Sequence, residues 1–335
     1  MIDFRCVKKV ADLPVEWNSL ADNYFQQTAF LSHTEIFNPC QQRYYLYMED
    51  DKLIAAAIVY TLRVDMLTYV KIKSPFKMHI VGIPCSVSGP GIFGISQAVN
   101  ALKKHIYEVE KGFVLFLNLE EKPTCEVAAS GNTLPTVVMS NHFSTWNEYL
   151  ASLRTGYRRR LSRINQVSQV LRFEKTLCAA FTEEMHRQYL EVYKKSNGKL
   201  EKLGFDFFKQ LPIEFILTAC YLENIVIGWN IALSNNNKYY FFLGGIDYKV
   251  NKTYNTYLRL LSEIVKDGIE HNAEFIELGQ TAEIPKMRMG GKPVILYMEA
   301  HHNNLILNKL LKLFSSFLEY KRKPENAHPV KMENA

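Results

Sequence analysis

The chain has 335 residues, of which 47% are hydrophobic and 22% charged, a composition that excludes a disordered or fibrous protein. Forty Lys and Arg against 34 Asp and Glu give a formal charge of +6, an excess that attracts anionic ligands without specifying nucleic acid. The length suits two domains or one large one, and either can bury a full core without metal or disulfide.

In chain order, residues 44–62 (YYLYMEDDKLIAAAIVYTL) form two apolar runs around a charged turn, a hairpin pattern. A Gly/Pro-punctuated stretch at 82–94 leads into an amphipathic helix near 95–110 and a strand at 113–119 (FVLFLNL). Residues 144–170 then read as one amphipathic helix, capped by Ser144 or Thr145, with Trp146, Leu150, Leu153, Tyr157, Leu161 and Ile164 at helical spacing. Its other face carries Arg154, Arg158, Arg159, Arg160 and Arg163, which serve either as a solvated face or as a contact for phosphate, carboxylate or acidic lipid.

The first-half pattern then returns. Residues 215–233 (FILTACYLENIVIGWNIAL) are a second hairpin, 239–245 (YYFFLGG) a strand, 256–271 a helix and 274–279 (EFIELG) a strand. Hairpin, strand, helix, strand twice over argues for a duplicated domain. The chain closes with an amphipathic helix at 303–323, whose stripe holds Leu307, Leu310, Leu311, Phe314, Phe317 and Leu318. This helix either docks on the protein or meets a membrane surface or partner. The tail 324–335 is expected to be mobile.

The six cysteines, Cys6, Cys40, Cys85, Cys125, Cys178 and Cys220, stand far apart, so they read as reduced packing thiols rather than a disulfide framework or zinc set. The adjacent His301 and His302 would point to opposite faces of a strand and so do not suit one metal; no metal is expected. No secretory signal is read at the start, and the longest apolar run, 53–62, is too short to cross a bilayer of about 30 Å. A cytoplasmic protein is expected. No GxxxxGK[ST] phosphate loop, HExxH or GxSxG elbow is present, so phosphoryl transfer and zinc hydrolysis lose support.

The arginine-rich helix with Tyr157-Arg158-Arg159-Arg160, the stretch carrying Tyr189 and Tyr193, the strand YYFFLGGIDYKV, the strand FIELGQT and the run Lys286-Met287-Arg288-Met289-Gly290-Gly291 together resemble the FemAB-like branch of the GNAT acyltransferase superfamily, over residues 144–302. The resemblance implies an α/β protein with mixed sheets and two tandem GNAT-like domains. The N-terminal one (1–143) is expected to be the scaffold or acceptor side and the C-terminal one (144–302) the acyltransferase, with the terminal helix (303–323) and the tail beyond.

What the family does implies a site. In a GNAT fold two parallel strands splay and the arm of an acyl thioester pairs with the freed backbone. Gly244 and Gly245 would lie at a bulge there, and backbone N–H groups could stabilise the oxyanion. Lys252, Thr253, Tyr254 and Asn255 would stand at the helix N-terminus that holds coenzyme A pyrophosphate. This loop reads KVNKTYNTY, without the glycines of ordinary GNAT enzymes, so an acyl carrier protein or a tRNA ester competes with acyl-CoA as donor. Glu277 is the first choice of base, Asp247 the second, and Tyr254 an acid for the leaving thiolate. Gln280, Lys286 and Arg288 would border the acceptor, and Arg158 and Arg159 would bind an anionic partner; Asn118 occupies the first-half position matching Glu277.

The expected function is N-acyltransfer, of the acetyl type, from an acyl thioester to an amine by direct attack. The alternatives are a FemAB-type transferase using aminoacyl-tRNA on a cell-envelope precursor and a non-catalytic binding protein. The acceptor would be a small-molecule or cell-envelope amine, with peripheral membrane contact conceivable and no DNA.

Overall fold

A computed structural model describes every residue except 39, 66–74, 86, 124–127, 197–200, 322–326 and 332–335; Cys125 and most of the tail lie outside the described residues. In chain order the elements begin with β1 (Ile2–Val7), α1 (Trp17–Leu20), α2 (Thr28–Phe37), β2 (Arg43–Glu49), β3 (Lys52–Asp65), β4 (Pro75–Val81) and β5 (Ile92–Gly94). Next come α3 (Ser96–Val109), β6 (Phe113–Leu119), β7 (Ala129–Asn132), β8 (Thr136–Ser140), α4 (Trp146–Ser152), α5 (Thr155–Val167) and β9 (Leu171–Leu177). Then follow α6 (Glu183–Lys195), α7 (Phe205–Lys209), β10 (Phe215–Leu222), β11 (Ile225–Asn235), β12 (Lys238–Ile246), α8 (Tyr248–Tyr254) and α9 (Thr256–Glu270). The last are β13 (Phe275–Gly279), α10 (Glu283–Met287), β14 (Lys292–Val294), β15 (Tyr297–His302) and α11 (Leu305–Leu318).

The chain folds as two compact units, one of residues 1–134 with 295–322, the other of 135–294 with 323–335. Each has one mixed sheet. In the first the strand order is β1-β2-β3-β4-β6-β15-β7, with β5 beside β3; in the second it is β9-β10-β11-β12-β13-β8-β14. The two orders match strand for strand, with an antiparallel hairpin, a third antiparallel strand, then a parallel neighbour reached through a helix, α3 or α9. The sixth strand of each sheet is exchanged. β15, from late in the chain, completes the first sheet between β6 and β7, and β8 completes the second between β13 and β14. The expected boundaries at 143/144 and 302 therefore move to 134/135 and 294/295.

Local sequence accounts for most elements. Asp50 and Asp51 both take positive φ, 46° and 60°, as a two-residue hairpin turn between right-twisted strands requires. In the second unit α9 buries Leu261, Ile264, Val265 and Ile269 against Ile276 and Leu278 of β13 and Val137 and Met139 of β8. In the first, Leu102 and Ile106 of α3 pack on Val59, Val81, Val114 and Phe116. The exchanged β15 is pinned by a fully buried carboxylate: Glu299 pairs with the Lys103 ammonium and accepts from the Tyr107 hydroxyl at 2.6 Å.

Two expectations are corrected. The helix read over 144–170 is two helices, because the Arg154 N–H donates to Pro329 O at 2.8 Å and Lys331 N–H to Ser152 O at 2.9 Å, so a tail strand pairs at the break. The tail is accordingly docked at 327–331 rather than loose, with Ala327 and Val330 packed on the core of the second unit. The Gly/Pro-punctuated stretch ends in β5, residues 92–94. Gly91 is required because a Cβ there would stand 2.2 Å from the backbone N of Gly82.

Candidate active site

β12 and β13 run parallel but pair at three positions only: Lys238 with Phe275, Tyr239 with Ile276 and Tyr240 with Glu277. Beyond that point β12 continues along β11 to residue 246, and among the described residues no strand pairs with its other edge. The separation coincides with a bulge: Ala232 faces Phe241 and Ile231 faces Leu243, which leaves Phe242 as the extra residue. β13 stays with β8, its register slipping between Glu277 and Gly279. The two strands thus part, and the edge of β12 is left open to an extended ligand that pairs as a strand does.

Glu277 occupies the last paired position. Its carboxylate lies 3.7 Å from Lys238 Nζ and its side chain is 18% exposed. Burial, reinforced by the charge of Glu277, pushes the Tyr240 hydroxyl above its ordinary range, so the phenol stays protonated beside the carboxylate.

The chain leaves β13 through a strained turn in which Gly279, Thr281 and Ala282 have φ of 72°, 62° and 47°, a region that β-branched threonine rarely enters. The turn reverses the chain into α10 and returns Lys286 to the strand end. There Lys286 Nζ donates to Gly279 O at 3.1 Å and Gln280 O at 2.7 Å and stands 5.8 Å from the centroid of Phe241. Phe241 is the first residue of β12 past the pairing, so this amine touches both lips of the gap. Lys286 is 3% exposed, and burial pushes its pKa down to about 7, opposed by Glu283. Expected to border the acceptor, Lys286 is buried inside the protein.

The other expected residues fall as follows. Gly244 and Gly245 pair in regular register with Asn230 and Trp229, past the bulge instead of on it, and a Cβ on Gly245 would lie 2.4 Å from Trp229 Nε1. Packing on the indole explains that glycine. Asp247 caps α8 by accepting the Lys249 N–H at 2.8 Å, a local role at the far end of β12. Lys252, Thr253 and Tyr254 belong to α8, the first two exposed, and Asn255 links it to α9 with φ of 52°. Asn251 Oδ1 accepts the Tyr257 N–H at 2.9 Å. The N-terminus of α9 is thus preceded by a helix and capped from within the chain, and the open glycine-rich loop that would cradle a pyrophosphate is replaced by α8. Among the described residues the far edge of β12 offers unpaired backbone; this helix start does not fit the pyrophosphate of coenzyme A.

Gln280 is half-buried and Arg288 lies at the end of α10. Arg288 and Arg160 line one shallow depression with Tyr149, Tyr157 and Pro285, while Arg158 lies in another with Ser162, Asn165 and Gln166. Arg154, Arg158, Arg159, Arg160 and Arg163 are all exposed.

No protein-family model and no curated protein matches the chain. Solved structures do match. A tandem GNAT protein from the clavulanic acid biosynthesis pathway aligns with a TM-score of 0.52 at 8% identity, covering 90% of this chain and 98% of that one. L-PGS from Bacillus licheniformis aligns at 0.50 and 12% identity over 88% and 94%, and FemX at 0.47 and 10% over 81% and 90%. The chain has the tandem GNAT fold.

Within this tandem GNAT fold the gap belongs to the second unit. In the first, β4 pairs with β6 over four positions, through Val81 and Phe116, and ends there. The chain then turns at Gly82, bridged to Pro90, and Asn118 Nδ2 donates to Val87 O at 3.0 Å, so the unit fills its own equivalent space. Among the described residues no cluster of His, Cys, Asp and Glu suits a metal; the His301 ring lies 4.5 Å from that of Tyr107 and the His302 ring 4.5 Å from that of Phe113.

The roles of Phe242 and Arg160 were not legible in advance. A bulge has no composition of its own beyond glycine at some types, and Arg160 is distinguished from Arg158 and Arg159 only by which side of α5 lines the depression.

Proposed function

We propose that the second unit is an N-acyltransferase in which an acyl thioester lies along the open edge of β12 and its carbonyl rests at the parting of β12 and β13. The observation that carries this reading is the three-position pairing that ends at Tyr240 and Glu277. The acceptor amine attacks the thioester carbon, the C–S bond breaks, and the thiolate leaves. The proton lost by the new ammonium goes to Glu277, directly or through water, and a proton from solvent restores the thiol. Lys286, a cation or amine donor at the lip of the gap, supports the negative charge that forms on the carbonyl oxygen.

Because α8 takes the place of an open pyrophosphate loop, a donor recognised through its own body, an acyl carrier protein or a charged tRNA, competes with acyl-CoA. The exposed arginines of α5 suit such an anionic surface.

The test is a thermal-shift and native mass spectrometry comparison of acyl-CoA, acyl carrier protein and aminoacyl-tRNA with the full chain. Retention of a thioester, lost on blocking the gap with Phe241→Trp, supports the reading. Binding of charged tRNA alone moves it to aminoacyl transfer, and binding of no donor leaves a fold without this chemistry.

A further inference from the structure

The C-terminal helix α11 leaves part of its apolar surface undocked. The side it turns toward β7 and β15 carries Asn308 and Leu311, 9% and 7% exposed, and Asn308 Oδ1 accepts the His302 N–H at 3.1 Å. Leu305, Ile306, Leu310, Leu313 and Phe314 instead face outward, with Leu305, Ile306 and Leu313 at least 70% exposed. An apolar patch of this kind on a folded protein marks a contact surface. The only ionisable side chains along the helix are Lys309 and Lys312, both exposed, and it contains no acid.

We propose that α11 is an interfacial helix that lays its outward apolar stripe into an anionic lipid bilayer. Charge selects this occupant. A second copy packed stripe to stripe would bring lysines near lysines with no acid to meet them, whereas anionic headgroups at the rim of the stripe meet both. Length selects the pose. Fourteen residues rise only about 21 Å, short of a hydrocarbon core of about 30 Å, so the helix lies in the plane of the interface. This inference is independent of the proposed acyl transfer.

The experiment is cosedimentation of the full chain with vesicles of phosphatidylcholine alone and of phosphatidylcholine with phosphatidylglycerol, at low and high salt. Binding to the anionic vesicles, at least tenfold stronger than to the neutral ones and weakened by salt, is expected. Ile306→Glu with Leu313→Glu removes it by tenfold or more with an unchanged circular dichroism spectrum. Lys309→Glu with Lys312→Glu abolishes the preference for anionic lipid. As a second readout that leaves the stripe apolar, Leu313→Trp shifts its emission to the blue on anionic vesicles. Absence of vesicle binding, binding unaltered by the glutamates as an arginine-driven contact would give, an unshifted tryptophan, or a solution dimer that the glutamates dissociate each overturns the proposal.

Discussion

Glu277 and Lys286 stand on either side of the point where β12 and β13 part, and each is held by backbone geometry rather than by the other. Replacing Glu277 by Gln keeps the shape and removes the proton acceptor. Turnover is expected to fall roughly 10²- to 10⁴-fold with donor affinity nearly unchanged, as read by steady-state kinetics beside a binding titration; loss of both together would assign Glu277 a structural role. Lys286 makes a prediction about pH. Its native pKa of about 7 lies below the usual value near 10.4, so between those limits the unfolded chain binds a proton that the native chain does not. Burial of Lys286 therefore costs most below pH 7, and the cost is relieved as pH rises. Relative to Lys286→Met, the wild type gains roughly 1 kcal/mol per pH unit between about pH 7.5 and 9.5, measurable by urea unfolding; a constant difference across that range would mean the amine stays charged. Lys286 was visible in the sequence as a residue near the site, but its burial was not. That depends on the left-handed turn at Thr281 and Ala282, which neither residue type announces.

At the scale of single elements, the strands were the most legible part of the chain, because alternating or continuous β-branched and aromatic runs have few other uses. Glycines were legible as special positions, with the wrong cause. Gly245 meets Trp229 rather than a ligand, so Gly245→Ala is expected to cost about 1–3 kcal/mol by overpacking, seen as a lower Tm, with little change in donor affinity at any stability that keeps the protein folded. The break between α4 and α5 was illegible for a different reason. No Gly or Pro lies at Leu153 or Arg154, and the interruption comes from a distant segment, residues 329–331, that pairs there. Helical periodicity reports which face is apolar; it cannot report a backbone partner recruited from the end of the chain. The outward stripe of α11 was equally hidden, since the pattern of Leu and Phe identifies an amphipathic helix without saying which side docks.

For the whole molecule, the duplicated element order was readable and the exchange of sixth strands was not. β8 and β15 are short, and nothing local in either says which sheet it joins. The exchange makes Glu299 a strong probe. It is fully buried with Lys103 and Tyr107 as partners, and Glu299→Ala leaves the lysine without its counter-charge, an expected loss of about 3–5 kcal/mol confined to the first unit. Limited proteolysis should then cut within residues 1–134 before it cuts 135–294; simultaneous cleavage of both would show that the units do not unfold separately.

Synthesis on the ribosome runs against the order in which these sheets can close. Among the described residues β7 pairs with β15 alone, so the nascent N-terminal half must wait for residue 302, a delay on the order of 10–30 s at 5–20 residues per second. The later half already has β8 in hand and gains its last strand, β14, before β15 emerges. The part translated first is therefore the part finished last, and until then the margin of β6 stays bare to chaperones or to another nascent chain.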